Sequence, residues 1–514
     1  MTFNSQEIIQ DVRTEFEQLL DFVTGEQART AKADNIERGL FKMLLSVGAK
    51  LLQLFFVQRS AACSRQVVQS ESGQELPYHR DTERVYFSIF NKVFIERPYF
   101  YKAGVGAQIP LDAELGLGDD RYSDLLREIT EFLAVYHVYG GKSACFVERL
   151  FGWSLSTRVL QQNIAEDAES VETYYAQKAP PDPETEAEIL VIQADGKGIP
   201  MVLEEDGVTE AQVRLGKGQK HGHKKEAVAT AIYTITAAPR TPSEVIASFF
   251  KENQPHQTPQ KDAKPHNKHI WATLDGKDAA LSRLTQQVAV REGGHILHRV
   301  ALCDGCEALQ SRMLLQFQGF TLILDFVHAN EYLWDAANSL LGETSEQRLE
   351  WVKSRTLQIL SGQTEQVIAE LRQIAKTKKT KATPRKQLHK TANYFERNLP
   401  YMHYQTYLSH GYPIASGVIE GVCRHFVKDR FELSGMRWLQ TGAENLLRLR
   451  AVAENDDWDA YHVYRREQRQ LRLYGQAAFL IQPVEAHLLN LPPVLLQPLP
   501  ADSHSSHSLL PLAV

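Results

Sequence analysis

The sequence predicts an α/β fold: a mixed sheet with a long helical insertion, preceded by a mostly helical N-terminal region that contains a β-hairpin. Three observations carry this. Short apolar runs at 189–194, 298–302 and 321–324 each lead straight into an aspartate or a Cys-Asp pair, as buried strands do at a polar edge. From Ala329 to about His410 the apolar residues recur at helical spacing. The runs 84–89 and 92–101, around Phe90-Asn91, alternate branched and aromatic residues with polar ones, which reads as a hairpin.

Bulk properties set the frame. A chain of 514 residues exceeds one ordinary core, so about two to four structural units are expected. With 43% hydrophobic and 23% charged residues, its make-up is globular and not fibrous or disordered. Residues 1–20 form an acidic amphipathic helix and lack the basic-then-apolar order of a secretion signal. No run of eighteen apolar residues is found, so no membrane partner is expected. Five scattered cysteines make no disulfide framework, which suits a reducing, cytoplasmic compartment. The net charge of -6 argues against a uniformly basic DNA coat and leaves room for local basic patches.

Taken in order, residues 1–75 read as helical, with Ile8, Val12, Phe16 and Leu19 at helical spacing and an apolar run over 40–57. Residues 76–180 hold the hairpin and then helices from about 121 to 178. Within these, 143–151 and 155–165 flank a Gly152-Trp153-Ser154 turn. This is either a helix-turn-helix, with Arg158 and Gln161 early in a recognition helix, or an ordinary helical corner. The Pro-rich acidic stretch 179–186 marks a boundary.

Residues 181–330 make the first part of the core. Strand 189–194 ends at Asp195-Gly196, and 201–203 and 227–237 continue the sheet. A helix starts at Pro242 with Thr241 as its cap. A Pro- and His-rich loop covers 253–269, a helix 277–290, and strands follow at 298–302 and 321–324. Residues 331–410 are the helical insertion, with Trp334, Leu340, Leu341, Trp351, Ile359 and Ile368 as candidate core. Residues 411–455 return to the core, where Ser416 caps a helix running past Arg430, and 456–514 form a C-terminal tail.

Asp195 and Asp304 share a setting: each follows an apolar strand and precedes a glycine, which permits a sharp turn. Strand ends in an open α/β sheet face one crevice. Two carboxylates there repel unless cations neutralise them, and Mg²⁺ prefers hard oxygen ligands. Two such ions about 4 Å apart can activate an attacking oxygen and stabilise a leaving one in phosphoryl displacement. Glu420 is the candidate third acid. Val418, Val422 and Phe426 give its helix an apolar stripe for the sheet, while Glu420 lies about 160° round from Val422. Taken singly, each acid is also ordinary turn or surface chemistry.

The run Asp304-Gly305 with Leu309, then Leu324–Ala329, then Ser416-Gly417-Val418-Ile419-Glu420, Lys428-Asp429-Arg430 and Ser434-Gly435-Met436-Arg437-Trp438 resembles the ISKra-type bacterial insertion-sequence transposases. These are DDE transposases related to the Mutator-like group, and the likeness extends from about Asn91 to Tyr474. It implies a ribonuclease H-like core in which Asp195, Asp304 and Glu420 are catalytic and hold two Mg²⁺ or Mn²⁺ ions. It further implies cleavage and strand transfer on transposon-end and target DNA, by a homo-oligomer associated with the nucleoid. Asp325 and His328 match the family's C/D-x-x-H signature. They either support the metal site or touch DNA, or else form a helix cap with a satisfied histidine. Asp325 is also the rival for the second ligand.

One departure concerns zinc. Many family members carry cysteine pairs around the N-terminal hairpin that suggest a zinc ribbon. Here the segment after Tyr101 reads Lys-Ala-Gly-Val-Gly, and Cys63 is the one upstream cysteine. A structural zinc site is doubtful on that ground. The lone Cys303-x-x-Cys306 has neither the redox context nor further zinc ligands at suitable spacing.

Two basic segments suit DNA phosphates: 372–390, including Lys378, Lys379 and Lys381, and 214–225, ending in Lys224 and Lys225. Each could equally be a solvated run. Arg437 and Trp438 follow the acidic helix and either contact DNA or pack as a core tryptophan with an extended arginine. The competing functions are a domesticated DNA-binding descendant, which would lack a catalytic acid, and a general ribonuclease H-like nuclease without end recognition.

Overall fold

The computed structural model describes residues 4–70, 72–202, 224–250, 264–377, 380–433 and 435–475. They fall into two compact units, one drawn from Met1–Ser123 and Arg466–Val514, the other from Asp124–Arg465. The division falls inside the 76–180 segment that the sequence groups together. Its helical part belongs to the larger unit because Arg127, on helix Asp124–Tyr136, is buried against Asp167 on helix Thr157–Ala168.

The larger unit is built on a five-stranded mixed sheet: β1 (Ile189–Pro200), β2 (Lys224–Ile235), β3 (His266–Thr273), β4 (His298–Cys303) and β5 (Thr321–Leu324). Their order is β5-β4-β1-β2-β3. β1 pairs antiparallel with β2 and β2 with β3, whereas β4 runs parallel to both β1 and β5. β1 is central because Ile189–Ala194 is apolar or amide at every position and so is buried on both faces. On one face Ile189, Val191, Val300, Leu302 and Ile323 pack against inserted helices through Leu333, Val352, Leu388 and Phe395. On the other, Leu190, Ile192, Ala194 and Ala301 meet Leu281, Leu284 and Met313 of helices Lys277–Arg291 and Glu307–Gln316. Each fully buried aliphatic side chain contributes about 1.5–3 kcal/mol, so this sandwich is the main source of stability.

Several expectations need correction. β1 does not stop at Asp195: its pairing with β2 continues to Pro200 opposite Lys224. The third strand is His266–Thr273; Met201 and Val202 form no strand, and Leu203 lies outside the described residues. Met201 makes just an isolated bridge to Trp438, while the polar start His266–His269 hides a strand whose second half is buried. Gly417–Phe431 is not one α-helix, since a π-helical run, Val422–Lys428, interrupts it. Ser416 makes no side-chain cap there. Residues 456–475 are not a tail but mostly the helix Trp458–Tyr474, held by buried Tyr461, His462 and Arg465. The capping box of Thr241 with Glu244, and Pro242 at the start of that helix, are as expected.

In the smaller unit, helices Ser5–Thr24 and Ala33–Ala62 form an antiparallel hairpin, joined by Lys50–Glu15 at 3.0 Å and Ser46–Glu15 at 3.0 Å. The longer helix is long and apolar enough to cross a membrane by length and composition. The sequence reading missed this because Lys42 and Lys50 interrupt the apolar run. A sheet of Tyr78–Ser88, Asn91–Lys102 and Gly106–Gln108 packs on it. Gln53 bonds both backbone groups of Phe94 (2.7 and 2.8 Å), and Phe56 meets Tyr86 edge-on at 5.4 Å. The hairpin turns at Ile89-Phe90, and Asn91 adopts φ 101°, a region asparagine tolerates better than most residues.

Candidate active site

The parallel pairing of β1 with β4 runs from Ile189 opposite His298 to Gln193 opposite Leu302. Asp195 lies two residues beyond Gln193 on β1, on the same face, and Asp304 two residues beyond Leu302, just past the end of β4, near enough for the two charges to interact. That face also receives the Glu420 segment. Gln193, wholly buried, donates to Tyr233 Oη (2.9 Å) and accepts from the Ile419 backbone N–H (2.9 Å). The residue next to Glu420 is therefore tied to the strand that carries Asp195.

Asp325 joins the remaining pieces. It caps helix Phe326–Leu341, accepting from Val327 N at 3.3 Å and His328 N at 3.1 Å. It also accepts from Ser416 N at 2.9 Å, at the start of the Glu420 segment, and lies 2.6 Å from His328 Nδ1. Its own N–H reaches the Cys303 carbonyl at 2.9 Å, beside Asp304. Asp325 is 0% exposed and its acceptor positions are used. It is thus both a helix cap and the hydrogen-bond partner of His328.

The electrostatics follow from this packing. Burial holds Asp304 above the usual carboxylate range, with the Asp195 charge adding to it and the Cys306 N–H (3.0 Å) opposing. Glu420 is raised by burial and then by Asp325, with Asp195 contributing less. For Asp325, burial works upward but the His328 and Ser416 hydrogen bonds prevail, and its pKa is lowered. His328 is raised to about 9, first by its hydrogen bond to Asp325, against burial, with Glu331 and Asp304 adding. An imidazolium therefore sits among several carboxylates at neutral pH. Asp325, His328 and Glu420 bring one ligand atom each within 4.8 Å of one another. Among the described residues, Asp195, Asp304 and Glu420 do not close to that spacing.

Residues that sequence reasoning missed complete the site. Lys197 lies two residues beyond Asp195, hence on the same face, a position strand alternation could have flagged. Cys423, buried on the Glu420 segment, is pushed up by burial and by adjacent Asp195. Arg397, from the insertion, donates to the Gly305 carbonyl, and Tyr394 packs where a Gly305 side chain would stand. Gly305 has φ 43°, so glycine suits both its conformation and its neighbour.

The DNA-contact candidates divide. Arg158 and Gln161 are exposed on helix Thr157–Ala168, whose cap Ser156 accepts from Val159 N, and Gly152 before it is left-handed at φ 77°. Lys381 and Arg437 are exposed. Lys224 is exposed but ion-paired with Glu432, and Lys225 bonds Gln440. Lys378 and Lys379 lie outside the described residues. Trp438 is corrected to a core residue: it is 8% exposed, donates its indole N–H to the Phe431 carbonyl at 3.1 Å, and meets Tyr139 edge-on.

A second acidic cluster, Glu131, Asp167 and His462, is fully buried. Arg127 and Arg465 both ion-pair with Asp167. Burial and the Asp167 charge hold Glu131 well above its usual range. Two guanidiniums already supply the positive charge, and the cluster is structural. Neither family models nor curated proteins match this chain.

Proposed function

We propose that the chain is a DNA transposase of the DDE class, with a ribonuclease H-like core that cuts and joins DNA at the ends of an insertion sequence. The observation that carries the reading is the placement of Asp195 on β1 and of Asp304 just past the end of the neighbouring parallel β4, with the Glu420 segment anchored to β1 through Gln193. A mixed sheet interrupted by a helical insertion before the third acid is what a ribonuclease H-like core requires. It supports that reading together with the sequence motifs.

Asp195, Asp304 and Glu420 would hold two Mg²⁺ or Mn²⁺ ions. The fit rests on chemistry: hard oxygen donors, half-buried, two of them with ionisation already disfavoured by burial and by neighbouring carboxylates. When bound, such ions supply charge neutralisation and an activated oxygen nucleophile. The chain's own groups do the rest. Asp325 holds His328 with its Nδ1 hydrogen bond, which leaves Nε2 to donate to a phosphate oxygen. Lys197, on the Asp195 face, adds a second cation for the backbone. Arg158 and Gln161 are exposed to read an end sequence, while Lys381 and Arg437 suit sequence-independent phosphate contacts.

The test is cleavage of a labelled duplex carrying the DNA that flanks the coding sequence, with Mg²⁺ or Mn²⁺ and with chelator. Asp195→Asn, Asp304→Asn and Glu420→Gln keep side-chain size and remove a charge. Each should slow cleavage on the order of a thousandfold, while duplex binding persists. Three variants that cut like the parent would end the catalytic reading. If Asp325→Asn is inactive and Asp304→Asn is active, the second ligand is Asp325.

A further inference from the structure

Where the β-hairpin of the smaller unit opens, the rings of His79, Tyr99 and Tyr101 stand together. Tyr99 and Tyr101 are alternate residues of strand Asn91–Lys102 and so project to one side. Their planes are 9° from parallel, with centroids 6.3 Å apart. Opposite them the pairing with Tyr78–Ser88 slips: Tyr78 faces Phe100 and Arg80 faces Tyr99, which leaves His79 as an extra residue. The His79 ring is inclined to both tyrosines, 6.1 Å from Tyr99 and 5.8 Å from Tyr101, and closes one side of a slot between them. Further along the strand Val93 and Ile95 are buried with Phe56 of helix Ala33–Ala62, but Tyr101 is 42% exposed, and His79 and Arg80 are exposed too. The edge strand Gly106–Gln108 sets only Ala107 beside Tyr101.

A planar ring held between two others needs about 7 Å between them, two carbon contacts of about 3.5 Å each. Tyr99 and Tyr101 come within about 1 Å of that spacing, because alternate residues of a strand lie about 6.6 Å apart. The charge around the slot selects what enters. The Arg80 guanidinium lies 5.9 Å from the Tyr99 centroid, and Lys102 follows Tyr101 at the strand's end. Arg65 pairs with Asp81 and Arg97 with Asp112, whereas Arg80 and Lys102 are in no ion pair among the described residues. Two such cations repel a cationic guest and attract an anionic one. We propose that the slot takes an unpaired nucleobase of a single-stranded nucleic acid, stacked between Tyr99 and Tyr101, with Arg80 and Lys102 on the flanking phosphates. A base inside a duplex is already stacked on both faces and does not enter, so the slot selects single strands. This site is separate from the acidic one and does not depend on whether that one cuts DNA.

Fluorescence anisotropy of the full chain with labelled oligothymidylate, oligouridylate and a duplex of equal length tests this, with chelator present so that nothing is cut. Tyr99→Ala with Tyr101→Ala should weaken single-strand binding on the order of tenfold or more and leave duplex binding within about twofold. Tyr101→Phe keeps the ring and should bind like the parent, while Tyr101→Leu, at an exposed position that either residue fits, should not. Arg80→Ala should lower the salt dependence of single-strand binding by about one charge. Whichever oligonucleotide binds tighter identifies the strand as DNA or RNA. A parent that ignores single strands overturns the proposal, as do ring-less variants that bind them like the parent or lose duplex binding equally. Tyrosine fluorescence that answers tetramethylammonium and neither oligonucleotide would assign the slot to a cation and sink the idea.

Discussion

Asp325 has its acceptor positions committed within the fold: two helix N–H groups, the Ser416 N–H and the His328 ring. Replacing it with alanine removes a helix cap and leaves a buried N–H and an imidazolium without their partner. Asp325→Ala should therefore cost about 2–4 kcal/mol in urea unfolding, more than an ordinary surface change. The pH dependence has a definite sign. His328, raised to about 9, adds stability that is fully present below its unfolded value of about 6.5 and is lost as pH rises through about 9. Asp325 is lowered, so its share is present above its unfolded value of about 3.9 and lost as pH falls through its folded value. His328→Gln should flatten the alkaline loss of the urea midpoint. An unchanged alkaline limb would mean the ring is not held as an imidazolium.

At the scale of elements, the helical insertion does more than separate Leu324 from Glu420. Its helix Ala382–Asn398 returns to the turn after Asp304 through Arg397 and Tyr394. Arg397→Ala should lower kcat about tenfold with KM and duplex binding nearly unchanged, and Arg397→Lys should recover part of it. A change confined to KM would make Arg397 a DNA contact. The insertion itself was legible as helical periodicity, and β4 and β5 as short apolar runs ahead of Asp304 and Asp325. His266–Thr273 was not legible because its exposed half reads as loop. The π-helical run 422–428 escaped because periodicity arguments assume 3.6 residues per turn. Glu420 could be picked from its motif, but its anchor could not. Gln193 is one amide in an apolar strand, and its role as anchor depends on a partner more than two hundred positions away.

Across the larger unit, helices Asp124–Tyr136, Thr157–Ala168 and Trp458–Tyr474 meet at the buried group of Arg127, Glu131, Asp167 and Arg465. Glu131 is held above its unfolded value by burial and then by Asp167. Its contribution therefore falls as pH rises from about 4.3 toward its higher folded value. Glu131→Gln should be neutral at acid pH and increasingly stabilising toward neutrality, read as the difference in urea midpoint. Asp167→Ala, which strands two guanidiniums, should cost about 3–5 kcal/mol. Equal behaviour of Glu131→Gln and the parent at every pH would show that Glu131 is ionised.

The bond between Gln193 and Ile419 spans 226 residues, and this has a consequence for synthesis. At about 5–20 residues per second, roughly ten to forty-five seconds separate the two partners on the ribosome. During that interval the nascent chain already carries Asp195, and later Asp304, but has no third acid. A nuclease that could cut chromosomal DNA while still half made would endanger its host. In the transposase proposed above, the last acid to be translated is also the one whose segment must reach back to the first strand, so the unfinished chain would be inert until that acid arrives.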